Sequence, residues 1–115
     1  MKIDYLAVTD YTTEPYGRYF GDGDGNGEEF RKVYILPRLK NCDKLVINLD
    51  GVEDEYGSSF IVEAFANLIR KENMAYTDLK TKIVFESSND DWKTEIDRYM
   101  REARDEQLKK MLNNG

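Results

Sequence analysis

The sequence predicts an α/β layered domain: a mixed, partly parallel sheet of about four strands, helices packed on it, and a long C-terminal helix. Three observations carry this. Lys44-Leu45-Val46-Ile47-Asn48-Leu49 is short, β-branched and apolar on both faces, the pattern of a central strand covered on two sides. Helical apolar stripes alternate with such strands along the chain. Residues 90 to 112 read as one long helix, with a clear apolar face as far as Ala103 and a weaker stripe beyond.

The elements follow in order. Residues 2–8, Lys-Ile-Asp-Tyr-Leu-Ala-Val, alternate as a strand, with Ile3, Tyr5 and Ala7 on one face and Leu6 and Val8 on the other. Thr9 to Gly27 is polar and Gly-rich, and Tyr16 to Phe20 is read as a short second strand. Glu28 to Leu36 reads as a helix capped by Asn26 or Gly27, with Glu28 and Glu29 at its positive end and Pro37 ending or kinking it. After the strand at 44–49, Asp50-Gly51 breaks the chain, and Ser58 or Ser59 can cap a helix running to about Lys71. That helix turns Phe60, Ile61, Ala64, Phe65, Leu68 and Ile69 inward, and Glu63, Asn67, Arg70 and Lys71 are assigned to its wet side. Thr81 to Phe85 is a further strand, and Ser87-Ser88-Asn89-Asp90-Asp91 starts the last helix. In that helix Trp92, Ile96, Tyr99, Met100 and Ala103 form an apolar face. Leu45, Ile47, Phe60, Ala64, Phe65, Leu68, Val84 and Trp92 are expected to form one core. The whole chain, 1–115, reads as one domain: a core over 1–103 and a helix end over 104–115 that projects or frays, its Leu108, Met111 and Leu112 free to contact a partner or a second copy in a homodimer.

Composition excludes several functions. The chain has 115 residues and a net charge of −6, which argues against a nucleic-acid partner and against docking on an anionic membrane. It has no histidine, which removes Ser-His and Cys-His nucleophiles and His-based metal sites. The single cysteine, Cys42, permits no intrachain disulfide and points to a reducing compartment. No apolar run approaches the ~18 residues of a membrane span, and Met1-Lys2-Ile3-Asp4 opens no signal segment, so the expected location is the cytoplasm.

Two segments are candidates for chemistry. Asp22-Gly23-Asp24-Gly25-Asn26-Gly27 begins like an EF-hand calcium loop, but its twelfth position is Val33 where a bidentate Glu is required. A metal-dependent enzyme using Asp22, Asp24 and Asp50 is therefore the minor alternative, and no metal or cofactor is expected. The second segment runs from Asp50 to Phe60, where a strand ends, Glu53, Asp54 and Glu55 form an acidic loop, and two serines open a helix. Free N–H groups and the helix dipole suit a phosphate there. The competing reading is that the serines only cap the helix.

Val46-Ile47-Asn48-Leu49-Asp50-Gly51-Val52 followed by Ser58-Ser59-Phe60 resembles the STAS domain of bacterial anti-sigma factor antagonists. Together with Gly27-Glu28-Glu29-Phe30-Arg31 and Glu63-Ala64-Phe65, the pattern over roughly residues 20 to 86 is similar to a STAS-like bacterial family of uncharacterised proteins. The resemblance implies a non-catalytic signalling switch. Ser59 matches the serine that a GHKL-type kinase phosphorylates in those antagonists, and Ser58 matches its neighbour. The implied partner is such a kinase or an anti-sigma factor-like protein, with Asp50, Glu53, Asp54, Glu55, Tyr56, Glu63 and Asn67 as the expected partner surface. Departures are Gly57 before the serine pair and Phe60 after it. A plain interaction adaptor on the same fold, unphosphorylated, is the alternative.

Overall fold

The computed structural model describes residues 1–114. Three strands, β1 (Ile3–Ala7), β2 (Lys44–Asn48) and β3 (Ile83–Glu86), pair in the order β1-β2-β3. Both pairings are parallel, with Tyr5 opposite Val46 and Val46 opposite Val84. The sheet is thus wholly parallel and has three strands rather than four. The missing strand is Tyr16 to Phe20: Gly17 makes an isolated bridge to Asn26, and Phe20–Asp22 forms a 3-10 turn. With Tyr16, Tyr19 and Phe20 all exposed, this segment has no face to bury against a sheet.

Helix α1 runs from Gly27–Glu29 through a π-helical stretch, Phe30–Ile35, into Leu36–Asn41. Asn26 caps it, its Oδ1 accepting from Glu29 N at 2.7 Å. Of the two outcomes expected at Pro37, an end or a kink, the helix does not end there but continues to Asn41. A proline ring clashes with the carbonyl four residues earlier, and the wider π turn just upstream accommodates it. Helix α2 runs as Ser58–Ile61, a π-helical Val62–Ala66, and Asn67–Arg70. A short helix absent from the sequence reading, α3 (Tyr76–Lys82), buries Leu79 and leads into β3. Helix α4 spans Asp90–Asn114.

The strand order never reverses. Right-handed crossovers through α1 and α2 then lie on the same side of the sheet. Burial agrees: Leu6, Leu45, Ile47 and Ile83 are buried against the helices, while Tyr5 is 68% and Val84 39% exposed. So β2 is covered on one face, not two, and Val84 is outside the core. Leu45, Ile47, Phe60, Ala64, Phe65 and Leu68 are fully buried as expected, and Trp92 packs half-buried at the rim. Phe65 stacks edge-on against Phe85 and Phe30, tying both helices to the sheet.

Helices α1 and α2 come close together at Gly27. A Cβ there would sit 2.6 Å from the Phe60 carbonyl oxygen, which is backbone and cannot yield. The expected wet side of α2 holds for Lys71 and in part for Arg70, and is overturned at Glu63 and Asn67. Glu63 is buried against α1, where it pairs with Arg31 at 2.9 Å, and Asn67 is buried beside Glu63. In α4, Ile96, Met100 and Ala103 are buried, whereas Leu108, Met111 and Leu112 are exposed. The helix does not fray after Ala103: Glu106 accepts two hydrogen bonds from Arg70, at 2.7 and 2.9 Å. Of the segment read as 104–115, Gly115 lies outside the described residues.

Candidate functional site at the start of helix α2

The chain enters α2 through Gly57, which occupies the N-cap position without any side-chain cap. Neither serine caps the helix, contrary to expectation. Ser58 and Ser59 are its first and second residues, Ser58 exposed and Ser59 half-buried. The first-turn N–H groups have no acceptor within the helix. The Ser59 hydroxyl instead accepts a hydrogen bond from Arg18 Nη2 at 3.3 Å.

Arg18 is a residue at this candidate site that sequence reasoning did not single out. It lies 41 residues from Ser59, in the loop between β1 and α1. That loop is held against α2 by its own polar atoms. Gly57 N donates to Pro15 O at 3.0 Å, and a Cβ on Gly57 would lie 3.1 Å from the Tyr16 backbone. Asp22 accepts from the backbone N–H groups of Arg18 and Tyr19, which hold its carboxyl below the usual range and fix the turn that carries Arg18. The Tyr11 hydroxyl donates to Glu29 at 2.7 Å and accepts from Gly25 N and Asn26 N. Burial, reinforced by that Glu29 bond, pushes the Tyr11 phenol up to about 12. The glycine-rich loop is therefore a structural clasp. Asp22 and Asn26 spend their side-chain oxygens on backbone N–H groups, and among the described residues no group of three or more carboxylates or thiols comes together as for a metal.

The expected partner surface divides in two. Glu53, Asp54 and Glu55 are exposed beside Tyr16, whose phenol is pushed up by desolvation and by the charges of Asp54, Glu14 and Glu53. Glu55 accepts from the Trp92 indole N–H at 3.0 Å. The other four make internal contacts, with Asp50 half-buried and Tyr56, Glu63 and Asn67 buried. Asp50 accepts from Ser87 Oγ at 2.7 Å and from Ser88 N, contacts that hold its carboxyl below the usual range and join the two loops above the sheet. Tyr56 is buried, its hydroxyl donating to Leu49 O at 2.7 Å. Glu63 and Asn67 are buried as described, Glu63 against Arg31 of α1. Tyr16, Tyr19 and Phe20, in the same loop as Arg18, are also exposed.

A family model described as a STAS-like domain of unknown function (DUF4325) matches residues 26–93, more than half of the chain. The chain belongs to this family. The matched span runs from the cap of α1 through the first turn of α4, so it holds the serine pair, the acidic loop and the Arg31–Glu63 pair of this STAS-like domain. No curated protein and no solved structure matches the chain. No helix among the described residues is long and apolar enough to cross a membrane.

Proposed function

We propose that this STAS-like domain is a non-catalytic signalling module whose partner binding is switched by phosphorylation of Ser59. The observation that carries the proposal is the Arg18 guanidinium at 3.3 Å from the Ser59 hydroxyl, at the N-terminus of a helix with free N–H groups. A phosphate on Ser59 adds a charge of about −1.5 to −2 and accepts from Arg18 and those N–H groups in charge-assisted bonds. The modification is thereby held by the fold and leaves it intact. What changes is the surface around Arg18: its free donors are consumed, and a negative charge joins the exposed Glu53, Asp54 and Glu55. The partner is a protein that docks on Tyr16, Tyr19 and Phe20 beside this loop, and a serine kinase of the GHKL type fits the role by resemblance to anti-sigma antagonists.

The test is affinity capture from native cell extract, then calorimetry on the captured partner. Ser59→Asp is expected to fold normally and to bind at least ~10-fold more weakly, a loss of about 1.4 kcal/mol. Ser59→Ala keeps binding and loses the switch, and Ser58→Ala changes neither. Equal binding by Ser59→Asp and the native chain overturns the switch and leaves an unregulated adaptor.

A further inference from the structure

An all-parallel sheet normally has both faces covered, yet here one face is bare. Its middle row is apolar: Tyr5, Val46 and Val84 lie in register across the three strands, with Tyr5 and Val84 exposed. Ile3 and Ala7 extend that surface along β1. The two ends of the face differ in charge. Lys44, at the N-terminal end of β2, alternates with inward Leu45 and so lies on the bare side. Glu86, at the C-terminal end of β3, shares a shallow depression of that face with Tyr5, Val46 and Asn48. Neither Lys44 nor Glu86 forms an ion pair among the described residues.

We infer that the bare sheet face binds a second copy of this chain, face to face, about a two-fold axis that crosses the strands at the Tyr5–Val46–Val84 row. Such an axis reverses strand direction between copies. The apolar row then meets itself, and the Lys44 end of one copy meets the Asn48–Glu86 end of the other, at both ends of the contact. The pattern is self-complementary, as an isologous interface requires. An axis parallel to the strands would instead put Lys44 near Lys44. The face spans about 16 Å along strands of this length, well short of an obligate interface, so the association is weak and concentration-dependent.

The test is sedimentation velocity on the full chain from about 10 µM to about 1 mM, the range in which weak pairs form. The native chain is expected to show a monomer–dimer equilibrium. Lys44→Glu and Glu86→Lys should each weaken it at least ~10-fold, the double swap should restore it, and Val46→Asp should abolish it. Thermal melts of the two charge variants, both at solvent-accessible positions, should match the native chain. A native chain that stays monomeric throughout overturns the inference, as does a dimer indifferent to the charge swaps. So does a dimer lost only when Leu108, Met111 and Leu112 are all changed to Ser, which would assign the contact to the end of α4.

Discussion

The Arg31 guanidinium on α1 lies 2.9 Å from the Glu63 carboxylate on α2, with the two side chains 1% and 2% exposed. Glu63 also meets Lys71 at 3.0 Å, and Arg31 meets Glu72 at 3.0 Å and the Glu63 carbonyl oxygen. Among the described residues, no fully buried side-chain nitrogen or oxygen lacks a partner. Removing Arg31 leaves the buried Glu63 carboxylate only the half-exposed Lys71 as a charged partner, and breaking a buried pair costs about 3–5 kcal/mol. Arg31→Met is therefore expected to lower stability by about that amount in urea unfolding, far more than Arg98→Met on the exposed face of α4.

The same pair sets an acid limit. Burial by itself would raise the Glu63 carboxyl, but hydrogen bonds from Arg31, Lys71 and Asn67 outweigh it and hold the group below the usual range. A carboxylate depressed by folding contributes stability that is present above its unfolded pKa and lost as pH falls through the folded one. Stability from this pair should hold from neutral pH down to about 4.3, the ordinary Glu value, and fall below it. Urea midpoints measured against pH should show that fall in the native chain and a shallower one in Glu63→Gln.

Glu53 shifts in the other direction. A hydrogen bond to Glu14 and that residue's charge raise its carboxyl above the usual range. A raised carboxyl favours the folded state below its unfolded pKa, and this contribution is lost as pH rises through the folded pKa. Carboxyl NMR titration should find Glu53 above the ordinary Glu range in the native chain and close to it in Glu14→Gln.

Phe65 touches α1 through Phe30 and the sheet through Phe85. Phe65→Ala should cost about 3–5 kcal/mol, a large part of a small domain's stability. A loss below about 1 kcal/mol in denaturant unfolding would contradict this packing.

Truncation after Ala103 removes the Arg70–Glu106 bonds and the exposed Leu108, Met111 and Leu112. Surface pairs of this kind contribute about 0–1 kcal/mol. The shortened chain should keep its native circular dichroism spectrum and lose no more than a few degrees in Tm.

Local patterns were enough for much of this protein. The apolar run Leu45 to Ile47, the stripe from Phe60 to Ile69 and the face from Ile96 to Ala103 each reflect the period of one element, which neighbouring residues set by themselves. The STAS-like family and the α/β class followed from that order of elements and from the serine pair after the acidic loop. Asn26 as the cap of α1 was legible for the same reason, since capping acts over three residues. What periodicity does not encode is which element lies over which face. Glu63 falls on the polar side of α2 by pattern and is buried because α1, brought close by Gly27, packs on it. Val46 and Val84 look like core and sit on an open face because the strand order never reverses, leaving both crossovers on one side of the sheet. Arg18 joins Ser59 only after a loop held by Tyr11, Asp22 and Pro15 has closed 41 residues of chain. Such distant contacts are decided by packing and loop closure, and these exist only once the tertiary structure has formed.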